Sequence, residues 1–434
     1  MVIDRLVIPA SPAGTEPLAN GTGLYVHHPA RAGRGYYAVT VAVNGRENTW
    51  TFGAGQTAGP VEEVKGPGKP VFQRQMDMKV LFDYPGRRLQ YVQWTAPPLS
   101  NLPDQYYNWS VFIPEAVKLP APLELVLTGN GMFRRPRWPH RLDTILLSPQ
   151  DRGPQAPGAA SGDPVPFDTF YFGYPQSHGT LGSLRQGSIQ PYTWRRMLAF
   201  VDWAVKDLKV NRSQTTPSID PAFIVCSGDR GYSATAALQF GMRHPEVFSL
   251  VYTCKGMPDP SAIPPMAKLA GWHPRPSKTE VWHLQQLVGR KEWGLKTDAD
   301  GEQDVWEFFN LTKLVAATPQ VVRPMLSYGG RGGWDWPPVA RFLAALAAAR
   351  QPVVSEGTWG AVDPPGLKNP GRAGTSGLNV HRDRPIPVFA NHSGDYQGGR
   401  NGDGGQTNYG VWWDNLEIVD RPDRLEITIV GGGT

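Results

Sequence analysis

Only two of the 434 residues are cysteine, Cys226 and Cys254. Two thiols cannot build a disulfide framework, so the chain must be held by a packed core. They fall near the ends of two segments expected to be neighbouring parallel strands. A bridge between them stays open, and two buried thiols are the simpler expectation. Long apolar runs are missing too. The longest helical one, Val339 to Arg350, is interrupted by Arg341, which suits a packed helix and not a membrane span. The N-terminal Met1-Val-Ile-Asp-Arg-Leu6 has no basic flank before an apolar stretch, so no secretion signal is visible. Charged residues make up 19%, and the net charge of +5 is a mild bias toward acidic partners. The nine histidines form neither H-x-x-x-H nor H-E-x-x-H, and no Walker or Rossmann glycine loop occurs. No metal site and no cofactor is therefore expected.

Glycine (49), proline (43) and tryptophan (15) are plentiful, which implies many ordered, irregular loops. Loop-rich, aromatic-rich chains are often secreted proteins that act on carbohydrates or polymers. An extracellular location is the expectation, with the cytoplasm as the alternative. The N-x-S/T triplets at Asn20, Asn108, Asn211, Asn310 and Asn391 carry sugar only in a host that attaches it, so they decide nothing. The length suits one large domain with accessory pieces.

Residues 1–66 read as a β-rich module. Tyr36 to Val43 alternates with period two and runs into Asn44-Gly45, a strong hairpin signal. Its Tyr36-Tyr-Ala-Val pattern resembles the later strands of a fibronectin type III module. After the linker Gly66-Pro-Gly-Lys-Pro70, residues 67–380 alternate strands with helices. Strands are expected at Leu89–Trp94, Tyr107–Ile113, Leu123–Leu127, Thr144–Leu147, Thr169–Phe172, 222–226, Ser249–Thr253, Val322–Ser327 and Pro352–Ser355. Helices are expected at Trp194–Leu208, 234–243 and 338–350, with an irregular insertion at about 257–320. Such alternation argues for an α/β class protein with a mainly parallel sheet and helices on both faces. Residues 381–434 turn to β structure again (Ile386–Ala390, Val411–Trp413, Leu425–Ile429), expected to pack on the core or on the N-terminal module.

The stretch Phe223-Ile-Val-Cys-Ser-Gly-Asp-Arg-Gly-Tyr-Ser-Ala-Thr235, leading to Arg243-His-Pro-Glu-Val-Phe248, reads as strand, sharp turn and helix. It resembles the nucleophile elbow of secreted α/β-hydrolases of the feruloyl-esterase and polyhydroxybutyrate-depolymerase type. The Leu123-to-Met132 run, the helix 194–208 with Val210-Asn-Arg212, and the exit Arg243–Phe248 extend the likeness over roughly residues 88–360. The resemblance implies an α/β-hydrolase fold and a serine, histidine and carboxylate in hydrogen-bonded series. It places Asn130 and Gly131 where an oxyanion loop carries His-Gly. Counted from the strand, the nucleophile slot holds Arg230; counted back from His244-Pro245, it holds Gly231. Neither is a serine. Ser233, in Gly231-Tyr-Ser-Ala-Thr235, is the substitute closest to G-x-S-x-G, and a helix-packing serine is the plainer reading. Asp335 falls in the acid slot. The histidine slot, Gly357 to Asp363, has no histidine, and His381 and His392 come later.

Arg230 could offer its fork to a carboxylate, sulfate or phosphate, or pair with Asp229 and fill the pocket. Arg134, Arg135 and Trp138 form a basic, aromatic lip suited to an acidic or polymeric ligand; nucleic acid is the weaker version, and a solvated loop the plain one. Asp395 to Gly405 offers oxygen ligands without Ca²⁺-loop spacing, so an ordinary turn is expected. Three functions remain open: a degenerate hydrolase retained for binding or assembly, an active carboxylesterase or depolymerase using Ser233, Asp335 and His381 or His392, and a self-associating structural component of an extracellular or virion assembly.

Overall fold

Strands rich in Val, Ile, Leu and Phe build one nine-stranded sheet. The computed structural model describes residues 25–80, 84–103, 105–115, 117–128, 143–153, 168–210, 217–228, 231–254, 256–262, 284–285, 287–329, 337–356, 380–384, 395–397, 406–408, 416–421 and 424–429. The sheet strands are β1 (Val71–Val80), β2 (Tyr84–Thr95), β3 (Gln105–Pro114), β4 (Ala121–Leu127) and β5 (Ile145–Pro149). They are followed by β6 (Ile219–Gly228), β7 (Leu250–Cys254), β8 (Met325–Gly329) and β9 (Val353–Glu356).

Their spatial order is β1-β2-β3-β5-β4-β6-β7-β8-β9. β1, β2 and β3 pair antiparallel, and β3 meets β5 antiparallel. The remaining pairs are parallel: β5 with β4, β4 with β6, then β6, β7, β8 and β9 in sequence. An antiparallel lead-in, the exchange of β4 and β5, and then parallel strands in chain order make this the α/β-hydrolase fold.

Neighbouring strands stay in register across the centre. Cys226 of β6 lies level with Leu125 of β4 and Val251 of β7, which in turn pairs with Leu326 of β8. Those residues form one face of the sheet. Helices α1 (Tyr192–Asp207), α2 (Gly231–Arg243), α3 (Leu311–Ala317) and α4 (Pro337–Ala348) join the buried clusters on it. The opposite face, with Phe223, Val225, Leu250 and Met325 against Val380, is buried as well. Burial on both faces is why these strands read as unbroken apolar runs and not as alternation.

α1 buries the stripe its sequence spacing predicts, including Trp194, Met197, Val201 and Ala204. Phe200, on the same side, stacks on Trp109 of β3 with centroids 3.8 Å apart and planes at 7°. The irregular insertion contributes to the same core. Asp304 caps a short helix, Val305–Phe308, by accepting from Trp306 N and Glu307 N. Asn310 caps α3 by accepting from Lys313 N and donates to Asp259. Trp306, Phe308 and Phe309 then bury against the α1 side of the sheet.

Two local expectations change. Thr169–Phe172 is a turn, not a strand, because Phe170 and Tyr171 take φ of 55° and 52°. The Asn44-Gly45 hairpin forms as expected, with both residues at positive φ (52° and 74°). The described residues around it make two-stranded ribbons, Gly33–Ala38 with Thr57–Glu63 and Ala42–Val43 with Arg46–Glu47. At the C-terminus, Arg424–Ile429 pairs with Leu416–Arg421; the expected strands 386–390 and 411–413 lie outside the described residues. Cys226 is a free, buried thiol, so no bridge joins it to Cys254. No helix among the described residues is long and apolar enough to cross a membrane.

Replacing Phe200 with alanine should cost about 3–5 kcal/mol of stability, because it removes a buried ring and leaves its stacked partner facing a void. Urea unfolding measures this, and a loss under about 1 kcal/mol would show that the site collapses around the gap.

Candidate functional site

In a parallel sheet the strands end together, and their C-terminal edge is where α/β proteins place chemistry. Here that crest comprises Thr128 after β4, Asp151 after β5, Gly228 at the end of β6, and Gly256 and Met257 beyond β7. The elbow lies between β6 and α2. The last strand residue is Gly228 and the first helical residue is Gly231, so only Asp229 and Arg230 connect them.

The connection is tight because the helix presses on the strand end. A Cβ on Gly228 would fall far inside contact distance of the Ser233 carbonyl oxygen and 2.9 Å from the Ala237 Cβ. Glycine is needed here for space. One turn further, a Cβ on Gly241 would collide with the Val251 side chain. Two glycines therefore let α2 lie directly on β6 and β7.

Ser233 is the third residue of α2, beyond the turn, and it is 0% exposed. Around it the helix is tied down: Thr253 Oγ1 donates to the Ala234 carbonyl (2.8 Å), and Met257 N donates to Thr235 Oγ1 (3.0 Å). The serine is a packed residue of the helix and not the tip of an elbow.

His381 lies elsewhere, which corrects its pairing with Ser233. Its Nδ1 is 3.5 Å from Asp220 Oδ2, its ring stands 5.0 Å from Phe223, and the next residue, Arg382, donates N–H to the Ala222 carbonyl. Asp220 to Ala222 begin β6, whereas the elbow follows its end. Asp220 and Gly228 are eight residue steps apart along the strand, roughly 26 Å at the rise of an extended chain. Asn130, Gly131, Arg134, Arg135, Trp138, Asp229, Arg230, Asp335 and His392 lie outside the described residues.

The described crest is filled by aromatic and acidic side chains that the sequence reading passed over. The Tyr171 hydroxyl accepts from Thr128 N (3.1 Å) and donates to Thr128 O (3.0 Å). The Tyr232 hydroxyl reaches the same carbonyl at 3.4 Å, and the two phenol rings stack 5.9 Å apart. Thr128 directly follows β4, and its N–H is used by the Tyr171 hydroxyl. Burial pushes the Tyr171 phenol well above its ordinary pKa and keeps it a neutral donor.

Asp151 holds the other side of that turn. Its carboxylate accepts from Thr169 N (3.1 Å), Thr169 Oγ1 and Tyr171 N (2.8 Å). These bonds hold Phe170 and Tyr171 in their left-handed conformation, which non-glycine residues seldom adopt. Burial first, and then the charge of Asp168, raise the Asp151 pKa to about 7; burial raises Asp168 to about 6. The left-handed pair was not predictable from residue type. Asp151, two residues past a strand end, and Tyr232, inside the elbow string, could have been found by position.

Below this turn, Phe170, Phe172, Trp194, Thr235, Gln239 and Phe309 are among the residues lining a narrow crevice. Gln239 turns its amide nitrogen away to three carbonyls: Met257, Pro258 and Phe309. Among the described residues, no group of three His, Cys, Asp or Glu side chains is placed to hold a metal ion.

No family profile matches the chain, and no curated protein does. Among solved structures, the chain is similar to the S-formylglutathione hydrolase of Agrobacterium tumefaciens, at 12% identity and a TM-score of 0.40, over 66% of this chain and 89% of that one. A putative acetyl xylan esterase of Bacteroides fragilis is similar at 15% identity and a TM-score of 0.38, over 70% and 73%. A ferulic acid esterase is similar at 14% and 0.36, over 62% and 89%. The strand order of the sheet defines the fold independently of these likenesses.

Two outcomes are expected at the crest. Gly228→Ala should lose roughly 1–3 kcal/mol by overpacking, read from urea unfolding; an unchanged midpoint would mean that α2 does not press on the strand end. The second concerns pH. A carboxyl whose pKa is raised by folding binds its proton more tightly in the native state, so its contribution is present in acid and lost as pH rises through about 7. Between about pH 5 and 7 the wild type should lose up to ~1.4 kcal/mol per pH unit that Asp151→Asn does not lose. Equal slopes in the two proteins would place an ionised carboxylate at Asp151 throughout.

Proposed function

We propose that this α/β-hydrolase-fold protein is a degenerate member of its fold, without serine-esterase turnover, retained for binding or assembly outside the cytoplasm. One observation carries the reading. Only Asp229 and Arg230 stand between the last residue of β6 and the first of α2, and the serines on either side are both buried: Ser227 in β6, donating to Glu124, and Ser233 within the helix. A serine esterase needs its hydroxyl exposed on the turn with a histidine in reach. Ser233 offers no exposed hydroxyl, and His381 sits at the far end of β6. The phenols of Tyr171 and Tyr232 on Thr128 support the same reading, since they occupy the side of the crest from which an oxyanion donor would come.

In this reading Asp229 and Arg230 are a binding pair at the former nucleophile position. Asn130, Gly131, Arg134, Arg135 and Trp138 form the lip that would receive an acidic or polymeric ligand. An active carboxylesterase using Ser233, Asp335 and His392 is the competing reading, and it requires α2 to unwind its first turn.

Incubation with a fluorophosphonate probe, followed by peptide mapping, separates the two. The expected result is no labelled peptide from the folded chain beside a labelled control esterase. A label on Ser233 would overturn the degenerate reading and establish an active serine hydrolase.

A further inference from the structure

Among the described residues ahead of the sheet, 25–70, no core forms. Between Tyr25 and Met76, His28 alone is buried among the described residues. Yet this segment is rich in apolar side chains. Ten of the fourteen large apolar residues exposed in the described structure lie between Tyr25 and Phe72. Val39, Val41 and Val43 follow one another at period two, 68%, 62% and 64% exposed, and Trp50 is 91% exposed.

This is an unusual combination. Period-two apolar spacing marks a strand with one covered face, and here Val39 and Val41 lie between two short strands and all three valines stay exposed. A ribbon of two strands is marginal in water without a third strand or a packed layer. The ribbon Gly33–Ala38 with Thr57–Glu63 is tied internally by the Arg34–Glu62 ion pair and the Tyr37–Glu63 hydrogen bond. The backbone bonds Val26 N to Pro103 O and Gly66 N to Pro29 O, with the Lys69–Asp207 ion pair, hold its base. Its apolar side chains remain uncovered.

We propose that this arm is a self-association device: each arm lies against a second copy of the same chain, forming a symmetric dimer. Three features favour a second copy over a foreign partner. The first is area. Ten exposed side chains of this size, at roughly 100 Å² each after allowing for their partial cover, amount to on the order of 1,000 Å², above the ~800 Å² per partner of a standard stable interface. The second is that both faces of the ribbon expose apolar side chains, Tyr36 (76%) on one and Val61 (43%) on the other, where His27 and Tyr37 give partial cover. One ligand laid on one face would leave the other wet, whereas two arms exchanged about a two-fold axis cover both. The third is continuity. The arm leads through Gly66–Pro70 into β1, the last strand of the nine-stranded sheet, so a second copy meeting the arm also faces an open sheet edge. The inference stands whether or not the chain hydrolyses esters.

The test is light scattering and sedimentation of the full chain, with Val41→Lys and Trp50→Ser as arm variants and Val322→Lys as the control. Val322 is 78% exposed away from the arm, and all three positions are at the surface, so the fold should survive and circular dichroism checks that it does. The expected species has twice the mass of the 47.7 kDa chain, about 95 kDa. Each arm variant should raise the dissociation constant at least about tenfold, and Val322→Lys should leave it unchanged. A 47.7 kDa species at every concentration, with or without protection of the arm by the chain's own C-terminal strands, would overturn the proposal. So would a dimer indifferent to the arm variants, or open-ended aggregation in place of a defined dimer.

Discussion

The close approach of helix α2 to the end of strand β6 governs the crest of this protein. Only glycine fits at 228, because the carbonyl of Ser233 occupies the space a side chain would need. That contact brings the first helical turn down onto the sheet and buries Ser233. It also limits the connection to two residues, Asp229 and Arg230, and leads Tyr232 back across the crest to Thr128. A hydrolase elbow depends on a similar strand–helix approach but uses the strain to lift a hydroxyl out of the turn. Here the same architecture buries Ser233 in the helix, while Ser227, on the strand side, is buried against Glu124.

The rest of the crest is built to be stable as it stands. Tyr171 satisfies both backbone groups of Thr128, while Asp151 satisfies the backbone of the left-handed turn that positions Tyr171. Removing water from Asp151 disfavours its charge, which ties this turn to pH. Thr128, Tyr171, Asp151 and Thr169 are linked in series by these bonds, the arrangement in which a buried polar network strengthens a fold. Fold and activity are separable in such a protein, since the sheet needs its apolar layers and not a nucleophile.

Much of this architecture was legible in residue order. The strands around Leu125, Cys226, Val251 and Leu326 announce themselves as apolar runs because both faces of the sheet are covered. α1 announces itself by its stripe from Trp194 to Ala204. What escaped had local causes. Thr169–Phe172 has strand-forming residues, yet the hydrogen bonds of Asp151 hold it as a turn, and no residue-type preference encodes a partner eighteen positions away. The position of Ser233 depended on a three-residue difference in turn length, below what spacing can resolve. His381 followed the expected chain order but returned to the beginning of β6, because its own ring pairs with Asp220 and the next residue, Arg382, bonds to Ala222. The period-two pattern of Val39 to Val43 was legible as strand, and among the described residues nothing covers these valines.

The central claim is that the elbow has no catalytic serine. Its most direct test is hydrolysis of p-nitrophenyl acetate by the wild type and Ser233→Ala, each folded and at matched concentration. The account predicts the same rate for both, equal to that of an unrelated protein of similar mass. Turnover in the wild type that disappears in Ser233→Ala would contradict it.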